Sequence, residues 1–544
     1  VPGALHAVFV RSPVAHGRIA SIETAEAKEA PGVRMVVTGA DLDGAIRNDM
    51  PAGRLSNRDG SKSARPPRPV LAVDRVRHVG EAVAMIVADS LAEAKDAADL
   101  VEVDYDMLDA VTETARALDG GQPQLHDDAP GNLCYDWGIG DEAAADAALG
   151  KAAHVVTLDL VNNRVVANPM ETRAMVADWK DGHLTVHYNG QGVWGMKSDL
   201  AKLLGLEEGA ISVFTPDVGG GFGMKAFTHP ENIAVAHAAH ALGAPVRWVA
   251  ERGEGFQSDV MGRDHVTTVT AGFDADHRLL AMKTECLSNL GAYVSANGAY
   301  IASELAARVL TGVYDLQTAF FNVKGVFTNT TPVDAYRGAG RPEAQYALER
   351  MMDKAARVMK IDPVELRRKN FIKPDQFPYT TIVGETYDVG NFDKVLDRAL
   401  EEADYAGFAA RKAESARAGK YRGVGLCYYI ESILGSHSET AKLEFADDGM
   451  VDVLVGTQSN GQGHETVYMQ FLHERAGIPF EKIRVVQGDS DRIAHGGGTG
   501  GSRSVTMQGC AINAAADDLI EKMKPLAEEE LEVSGADLVW EDGA

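Results

Sequence analysis

The sequence predicts an α/β to α+β fold with mixed sheets, and three observations predict it. Residues 1–110 alternate short apolar strands with short helices, and residues 111–153 are rich in Ala, Gly, Asp and Pro without sustained periodicity. Strands then return from Val155 onward, and Pro, Gly and Asp become frequent again between Ile372 and Asn391. We therefore expect domains at 1–110, 154–371 and 372–544, with 111–153 as a linker.

The first segment opens with a predicted strand at Leu5–Arg11 and a predicted helix at Ser21–Ala30, which Pro31 and Gly32 end. A second helix is predicted at Ser90–Leu100, where the Ser90 side chain suits an N-cap. The other strands of this segment are predicted at Val33–Thr38, Glu81–Val87 and Val101–Tyr105.

The later segments continue the alternation of strands and helices. Between 154 and 371 the sequence predicts a hairpin arm at Gly182–Asn189, helices at Met196–Leu204 and Asn232–Leu242, and strands at Ile211–Phe214 and Val246–Val249. Beyond 372 it predicts helices at Phe392–Glu402 and Gln508–Lys524, with strands at Tyr421–Ile430, Ala441–Phe445 and Val451–Val455.

The composition is that of a globular protein, with 45% hydrophobic residues and a mean hydropathy of −0.16. A net charge of −26 without a basic block argues against nucleic acid or an anionic membrane as a partner. No apolar run reaches membrane-spanning length, and residues 1–10 lack the basic region that precedes the apolar core of a signal peptide.

The four cysteines are far apart and form no CxxC pair: Cys134, Cys286, Cys427 and Cys510. This spacing excludes a zinc or iron–sulfur site built from one local segment. It fits reduced thiols in the cytoplasm better than a disulfide framework. A redox reaction in this chain would therefore have to pass its electrons to centres on another chain.

The strongest functional signal is the run Thr215–Lys225, which holds three consecutive glycines, then Phe222 and Gly223. Glycine permits positive φ and lets backbone N–H groups approach a ligand closely. Such a loop suits an oxyanion, a phosphate or a metal-bound oxygen, although taken alone it is more simply a tight turn. Its spacing differs from the GxGxxG dinucleotide fingerprint, and no βαβ unit with a ribose-binding acid follows.

Three more glycine-rich loops follow, at 335–343 around Arg337, at 461–466 and at 496–504. His464 and Glu465 do not form an HExxH zinc site, because Tyr468 stands where the second histidine would be. Four loops of this kind in one chain indicate that one large polar cofactor is wrapped by all of them.

These four loops, in this order along the chain, resemble those of the large subunit of the molybdenum hydroxylases. That family includes xanthine dehydrogenase, aldehyde oxidase and carbon monoxide dehydrogenase. The resemblance runs from Gly3–Pro13 to the Gly501–Ser504 loop and the helix after it. It implies an α/β hammerhead domain followed by two molybdopterin-binding domains, the second incomplete at its C-terminus. It also implies a molybdenum-molybdopterin cytosine dinucleotide cofactor, an iron–sulfur small subunit with [2Fe-2S] clusters, an FAD-binding medium subunit and a dimer of heterotrimers.

The activity implied by the resemblance is oxidation of an aldehyde or an aromatic N-heterocycle with oxygen from water, the electrons passing to the iron–sulfur and flavin partners. The implied catalytic residues are Gln191, Phe222 and Arg337. The Phe222 N–H and the Gln191 side chain would donate to an oxygen ligand of molybdenum, and Arg337 would stabilise negative charge on the substrate. No side chain is expected to bind the metal directly. Cofactor contacts are expected at Gly220, Gly221, Phe222, Gly223, Arg337, Gln462, Gly463, Gly501, Ser502, Arg503 and Ser504.

Three expected pocket residues depart from the patterns of family members with known substrates. Carbon monoxide dehydrogenase carries a copper-binding cysteine immediately after the loop arginine, where this chain has Gly338. Xanthine-specific members carry an acid at the position of Ala226 and an aromatic residue at the position of Ala339. We therefore expect neither carbon monoxide nor xanthine to be a good substrate, which leaves aldehydes and N-heterocycles.

The resemblance also implies a glutamate general base in a Gly-x-Gly-Glu segment beyond the last glycine loop, and no such segment follows Ser504. The acids at 528–532 and at Asp537 are expected to lie on a solvated helix face and its exit. We therefore expect the base to lie outside residues 1–544, on a continuation of the chain or on a separate subunit, and low activity from this segment alone.

Other functions remain open on the sequence alone. One is a non-catalytic scaffold of such a complex, which would hold no molybdenum. Another is a plain nucleotide-binding module that binds NAD or ATP without a metal. A third is a protein like carbon monoxide dehydrogenase that lacks the copper cysteine.

Overall fold

The computed structural model describes residues 1–434 and 439–540. Within its largest sheet, Leu5–Arg11 and Val246–Val249 pair in parallel, with Leu5 opposite Val246. The sheet is therefore continuous between the first predicted domain and the segment that carries the central glycine loop. Its seven strands lie in the order Ile211–Phe214, His183–Tyr188, Ala174–Lys180, Val246–Val249, Leu5–Arg11, Ala82–Ala88 and Val33–Thr38.

A second sheet has five strands, in the order Leu133–Gly140, Ala319–Phe327, Leu279–Gly291, His265–Phe273 and His154–Asn162. Its first strand lies inside the segment predicted to be a linker, and the helix Glu142–Leu149 follows it. The expectation that 111–153 lacks regular structure is therefore wrong for residues 133–149. The strand pairs with a partner almost two hundred residues later in the chain, a relationship that local periodicity does not reveal.

The remaining sheets are small. One contains Arg75–Val76, Gly17–Glu23 and Glu102–Met107, another contains Ala441–Phe445, Val451–Val455 and Ile483–Val486, and a third contains Tyr379–Thr380 and Thr386–Tyr387.

The α-helices are Ala25–Glu29, Gly39–Leu42, Leu91–Ala98, Glu142–Leu149, Trp194–Leu204, Pro230–Leu242, Arg252–Ser258, Gly298–Tyr300, Arg341–Met359, Pro363–Asn370, Phe392–Glu402, Phe408–Arg417, His464–Ala476 and Gly509–Leu531. Two π-helical turns occur at Ile301–Leu305 and Ser504–Gln508. The 3₁₀ turns are Thr114–Arg116, Pro130–Asn132, Glu208–Ala210, Met224–Ala226, Pro374–Gln376, Phe480–Lys482 and Gly535–Asp537.

Two other predicted elements differ from the structure. The predicted helix Ser21–Ala30 is shorter in the structure, where it spans Ala25–Glu29. Residues 21–23 belong instead to the strand Gly17–Glu23, in which Ile22 pairs with Val103 of another strand. The predicted strand Tyr421–Ile430 is wrong, because these residues form no regular secondary structure and pair with no strand in the described part of the chain. Side chains bind its backbone instead: Arg367 donates to the Leu426 carbonyl oxygen at 3.1 Å, and the Tyr428 N–H donates to Glu349 at 3.0 Å.

The core beneath the central loop lies between the seven-stranded sheet and the helices Trp194–Leu204 and Pro230–Leu242. The helix Pro230–Leu242 buries Ile233, Val235 and almost all of its alanines, so it is apolar on nearly every side. Burial of this kind fixes the strand Ile211–Phe214 and the loop that follows it. None of the helices in the described ranges is long and apolar enough to span a membrane.

Candidate functional site

Three residues with positive φ shape the central glycine loop: Gly220 at 96°, Phe222 at 55° and Gly223 at 98°. A Cβ atom on Gly223 would lie 2.6 Å from the Ala335 carbonyl oxygen, so only glycine fits there. The Phe222 carbonyl oxygen accepts a hydrogen bond from the Arg337 N–H at 2.8 Å. The central loop and the arginine loop are thus joined through their backbones, while the Phe222 N–H has no hydrogen-bond partner among the described residues.

Gln191 is buried and links two glycine loops. Its Oε1 accepts a hydrogen bond from the Gly223 N–H at 2.8 Å, and its Nε2 donates to the Thr499 carbonyl oxygen at 2.9 Å. The second hydrogen of the side-chain amide has no partner within residues 1–434 and 439–540. Gln191 can therefore hold the two loops together and still donate one hydrogen bond to a bound group.

The loop around Arg337 is held by Arg263. The Arg263 guanidinium donates to the carbonyl oxygens of Tyr336 at 2.9 Å and of Arg337 at 2.7 Å, and it lies 4.8 Å from the centre of the Tyr336 ring. Glu343 pairs with Arg263 at 3.0 Å. The Arg337 side chain itself is exposed and makes no hydrogen bond or ion pair with the described part of the chain, so its charge can meet a ligand.

A buried carboxylate, Glu439, organises the last glycine loop. Its Oε1 accepts a hydrogen bond from the Gly497 N–H at 2.9 Å and forms an ion pair with Arg503. Arg503 also donates to the Gly498 carbonyl oxygen at 3.1 Å. Arg503 was predicted to contact the cofactor. In the structure its guanidinium binds Glu439 and the backbone of its own loop.

The two predicted serines also have partners in the protein. The Ser502 hydroxyl donates to Glu431 at 2.9 Å, and the Ser504 hydroxyl lies 3.2 Å from the Thr499 hydroxyl. Ser504 opens a π-helical turn, Ser504–Gln508, which leads into the last long helix. Both hydroxyl oxygens retain the capacity to accept a further hydrogen bond.

Gln462 and Gly463 lie at the start of the helix His464–Ala476. Gly463 has φ +81°, and the Gln462 side-chain nitrogen lies 3.1 Å from His464 Nε2. This third loop reaches the others through Asn460, whose Nδ2 donates to the Gly190 carbonyl oxygen at 3.2 Å.

Three of the four glycine loops line a single cavity of about 730 Å³, within the size range of cofactor sites, and the loop at 461–466 contributes none of the described lining residues. Gly220, Gly221, Gln462, Gly463 and Ser504 are not among the residues that line it. Gly221 lies behind the wall instead, where a Cβ atom would overlap the Gln191 side chain. The other ten predicted residues line the cavity: Gln191, Phe222, Gly223, Ala226, Arg337, Gly338, Ala339, Gly501, Ser502 and Arg503.

The cavity has an excess of positive charge. Arg337, Arg341 and Arg503 line it, and Glu304 is the only carboxylate among its described lining residues. Arg341 is buried, its Nε has no hydrogen-bond partner among the described residues, and burial lowers the pKa of its guanidinium. Its nearest carboxylate oxygen, on Glu431, is 3.5 Å away. A cluster of this kind suits an anionic ligand such as a phosphate group.

Glu171 and His229 fix the underside of the central loop. Glu171 accepts hydrogen bonds from the Gly219 N–H at 2.8 Å and from Lys225 Nζ at 2.9 Å, and burial lowers the pKa of the Lys225 ammonium group. The ring of His229 contacts the Met224 carbonyl oxygen at 2.9 Å. Burial, together with the nearby Arg173 charge, lowers the pKa of His229 to about 3, so this imidazole is neutral at physiological pH.

Sequence reasoning missed the residues that support the loops, chiefly Glu171, Arg263 and Glu439. Glu171 lies 48 residues before the Gly219 N–H that it binds, in a segment without a glycine run. Arg263 and Glu439 lie 74 and 64 residues from the loop residues that they bind, and no local motif marks them.

Comparisons with known proteins agree with this architecture. Residues 1–109 match the family described as "Aldehyde oxidase and xanthine dehydrogenase, a/b hammerhead domain", and residues 125–371 and 398–544 each match a "Molybdopterin cofactor-binding domain". The nicotine 6-hydroxylase large subunit of Paenarthrobacter nicotinovorans is 36% identical over 100% of this chain and 67% of its own length. The carbon monoxide dehydrogenase large chain of Hydrogenophaga pseudoflava is 33% identical over 99% of this chain and 70% of its own.

Among solved structures, quinoline 2-oxidoreductase from Pseudomonas putida 86 superposes with a TM-score of 0.93 at 33% sequence identity. The match covers 100% of this chain and 70% of that one.

Proposed function

The chain belongs to the large, molybdopterin-binding subunits of the molybdenum hydroxylases, and we propose that its substrate is an aromatic N-heterocycle. The family predicted from the glycine loops is thereby confirmed, as are the hammerhead and molybdopterin-binding domains and the role as an enzyme subunit. The observation that carries the cofactor assignment is the meeting of glycine loops and three arginines around one cavity.

The described residues fit a molybdopterin dinucleotide. At Gly223, which lines the cavity, only glycine lets the central loop pack directly against the Ala335 carbonyl oxygen of the arginine loop, so the two loops can present their backbones to one ligand. Arg341 offers a buried Nε without a hydrogen-bond partner in the described chain, which suits a phosphate oxygen. We further propose that the nucleotide is cytosine and that Gly501, Ser502 and Arg503 contact its diphosphate.

When bound, the cofactor supplies a two-electron oxidation that places an oxygen atom from water on the substrate. The chain itself supplies hydrogen-bond donors and charge. The Phe222 N–H and the second amide hydrogen of Gln191 would face the cofactor as fixed donors, which stabilise developing negative charge without reorganisation. Arg337 would stabilise negative charge on the substrate from the cavity wall.

The choice of substrate class rests on the pocket and on the relatives. Ala226, Gly338 and Ala339 are small, so they leave the wall beside Arg337 open to a ring. The relatives named for nicotine and quinoline act, by those names, on N-heterocycles. We also propose that an iron–sulfur chain and an FAD-binding chain receive the electrons, in a cytoplasmic dimer of heterotrimers.

The test is to purify the chain in its complete complex, together with the polypeptide that carries the general base, to measure molybdenum and the released nucleotide, and to assay in water labelled with ¹⁸O. We expect about one molybdenum and one cytosine nucleotide per chain, with label incorporated into a hydroxylated N-heterocycle. Absence of molybdenum would favour the scaffold function. Metal-free binding of NAD or ATP would favour a nucleotide-binding module, and turnover of aldehydes alone would overturn the substrate class.

A further inference from the structure

Glu304 is the one acidic side chain in the wall of the cavity, as far as the structure describes that wall. It lies on the π-helical turn Ile301–Leu305, and its side chain is exposed to the cavity. Turns of this kind are rare and occur frequently at functional sites. The position therefore merits a chemical explanation.

Glu304 has no hydrogen bond or ion pair with the described residues. The natural partner on the same helical turn is Arg308, four residues later, because side chains at this spacing face each other. Arg308 instead points to Glu385, with 3.6 Å between Nε and the carboxylate oxygen. The Glu304 carboxylate is therefore available to pair with a ligand that enters the cavity.

The turn that carries Glu304 is fixed against the arginine loop. A Cβ atom on Gly340 would lie 2.5 Å from the Ile301 carbonyl oxygen and 2.8 Å from the Ala306 nitrogen, so the two backbones are in direct contact. On the other side, the Tyr300 hydroxyl donates to the Arg54 carbonyl oxygen at 2.9 Å. Glu304 is thus held on a rigid support beside the predicted substrate pocket.

Aromatic rings accompany the carboxylate. Tyr300, Tyr336 and Trp194 line the same cavity. A cavity wall that contains both a carboxylate and aromatic rings attracts an organic cation, because the charge and the ring quadrupoles both favour it. An anionic substituent would be repelled by Glu304, and a neutral one would gain nothing from it.

We propose that Glu304 is a specificity-determining residue, which selects substrates that carry a positively charged substituent, such as an ammonium group, outside the ring that is oxidised. This inference rests on the proposed function, since it concerns the substrate of that same cavity. Glu304 takes no part in the chemical step in this proposal. Its contribution is to substrate binding, and therefore to KM.

The experiment uses the complete complex with wild-type chain, Glu304→Gln and, as a matched control, Glu414→Gln. Glu414 is an exposed acid on the helix Phe408–Arg417, outside the cavity wall, so its replacement removes the same charge elsewhere. The paired substrates are 3-(dimethylaminomethyl)pyridine, which is cationic at neutral pH, and its neutral isostere 3-isobutylpyridine. Benzyltrimethylammonium, which cannot react, is titrated calorimetrically as a probe of binding alone.

We expect Glu304→Gln to raise the KM of the cationic substrate roughly three- to tenfold, the range for an ion pair in a partly enclosed site, with kcat unchanged. The neutral substrate and the Glu414→Gln control should be unaffected. The affinity for benzyltrimethylammonium should fall by a similar factor, and the wild-type preference for the cation should shrink with added salt.

Equal effects on the two substrates, or a lower kcat for both, would overturn the specificity role. So would unchanged binding of benzyltrimethylammonium. A complex that contains molybdenum and hydroxylates 3-isobutylpyridine, but treats the cation identically in wild type and Glu304→Gln, would overturn this inference alone. A complex without molybdenum, or one that oxidises neither pyridine, would overturn the proposed function instead.

Discussion

The side chain of Gln191 accepts a hydrogen bond from the backbone N–H of Gly223 at 2.8 Å, across 32 positions of sequence. The same amide donates to the Thr499 carbonyl oxygen, so one residue ties together the central glycine loop and the last one. Gln191 therefore has two roles that mutagenesis can separate: to hold the loops and to donate a hydrogen bond into the cavity.

Gln191→Ala should slow turnover by about two orders of magnitude while molybdenum remains bound, a typical loss for one donor at a charged transition state. Gln191→Glu keeps the acceptor for Gly223 and removes the donor. We expect it to share the loss of kcat and to lower thermal stability as well, because a buried carboxylate oxygen would face the Thr499 carbonyl oxygen in place of a donor. Steady-state kinetics, metal analysis and thermal melting measure these effects, and unchanged turnover in both variants would remove Gln191 from the site.

Gly221→Val should block cofactor incorporation. A Cβ atom at Gly221 would overlap the Gln191 amide, and β-branching enlarges the clash. Gly209→Val is the matched control, because a Cβ atom there has no neighbour within 4 Å and its φ is not positive. Molybdenum per chain is the measurement. A full complement of metal in Gly221→Val would show that the loop tolerates the displacement of Gln191.

Arg503→Met should destabilise the last glycine loop, because it leaves the buried Glu439 carboxylate without its ion-pair partner. Breaking a buried pair costs about 3–5 kcal/mol, whereas replacing both members with apolar residues is often close to neutral. We therefore expect Arg503→Met/Glu439→Leu to recover most of the lost thermal stability. Cofactor content separates the two roles of Arg503: low molybdenum in the stable double variant would indicate a direct cofactor contact.

His229 should contribute a pH dependence to stability on the acid side. Its pKa is about 3 in the folded chain and about 6.5 when exposed, so below pH 6.5 the unfolded chain binds the extra proton. The stabilisation from neutral His229 is complete above about pH 6.5 and is lost as the pH falls toward 3. The loss at pH 5 should be about 2 kcal/mol in the free energy of unfolding.

His229→Gln tests this dependence, because Gln does not titrate and its amide can still donate to the Met224 carbonyl oxygen. Urea unfolding at pH 8 and pH 5 should show a smaller difference between the two pH values in the variant than in wild type. An identical difference would mean that other groups account for the acid sensitivity.

Carbon monoxide and xanthine should both be poor substrates, at least about a hundredfold below an N-heterocycle in kcat/KM. Ala226 offers no acid to hold a purine, Ala339 offers no ring to stack on it, and Gly338 cannot bind copper. Gly338→Cys should not confer oxidation of carbon monoxide, because Gly338 has φ +94° and a Cβ atom would lie 2.5 Å from the Pro342 ring. Efficient oxidation of either compound would show that these pocket residues are misassigned.

Local sequence patterns predicted the elements that depend on local chemistry. Ser90 accepts a hydrogen bond from the Glu93 N–H and caps the helix Leu91–Ala98, as its position before an alanine-rich stretch predicted. The strands Ile211–Phe214, Val246–Val249 and Ala441–Phe445 and the helix Phe392–Glu402 have the predicted bounds. The strand Leu133–Gly140 was not predicted, since Gly and Asp weaken its pattern and its partner is remote.

The site shows the same contrast between residues that a local pattern marks and residues whose partners are distant in sequence. The glycine loops carry their signal in consecutive residues, and ten of the fifteen predicted positions line the cavity. Their supports, Arg263 and Glu439, are single charged residues whose partners are backbone groups and side chains distant in sequence. A lone arginine or glutamate has many possible environments, and only the folded chain selects one of them.

The parallel pairing of Leu5–Arg11 with Val246–Val249 has a consequence for synthesis of the protein. The first strand leaves the ribosome about 240 residues before its neighbour, which at ordinary elongation rates is a delay of roughly 10–50 s. Through that interval one edge of the nascent sheet is open to other chains. A gene fragment that stops after the first hundred residues would make the opening permanent, so we expect it to aggregate.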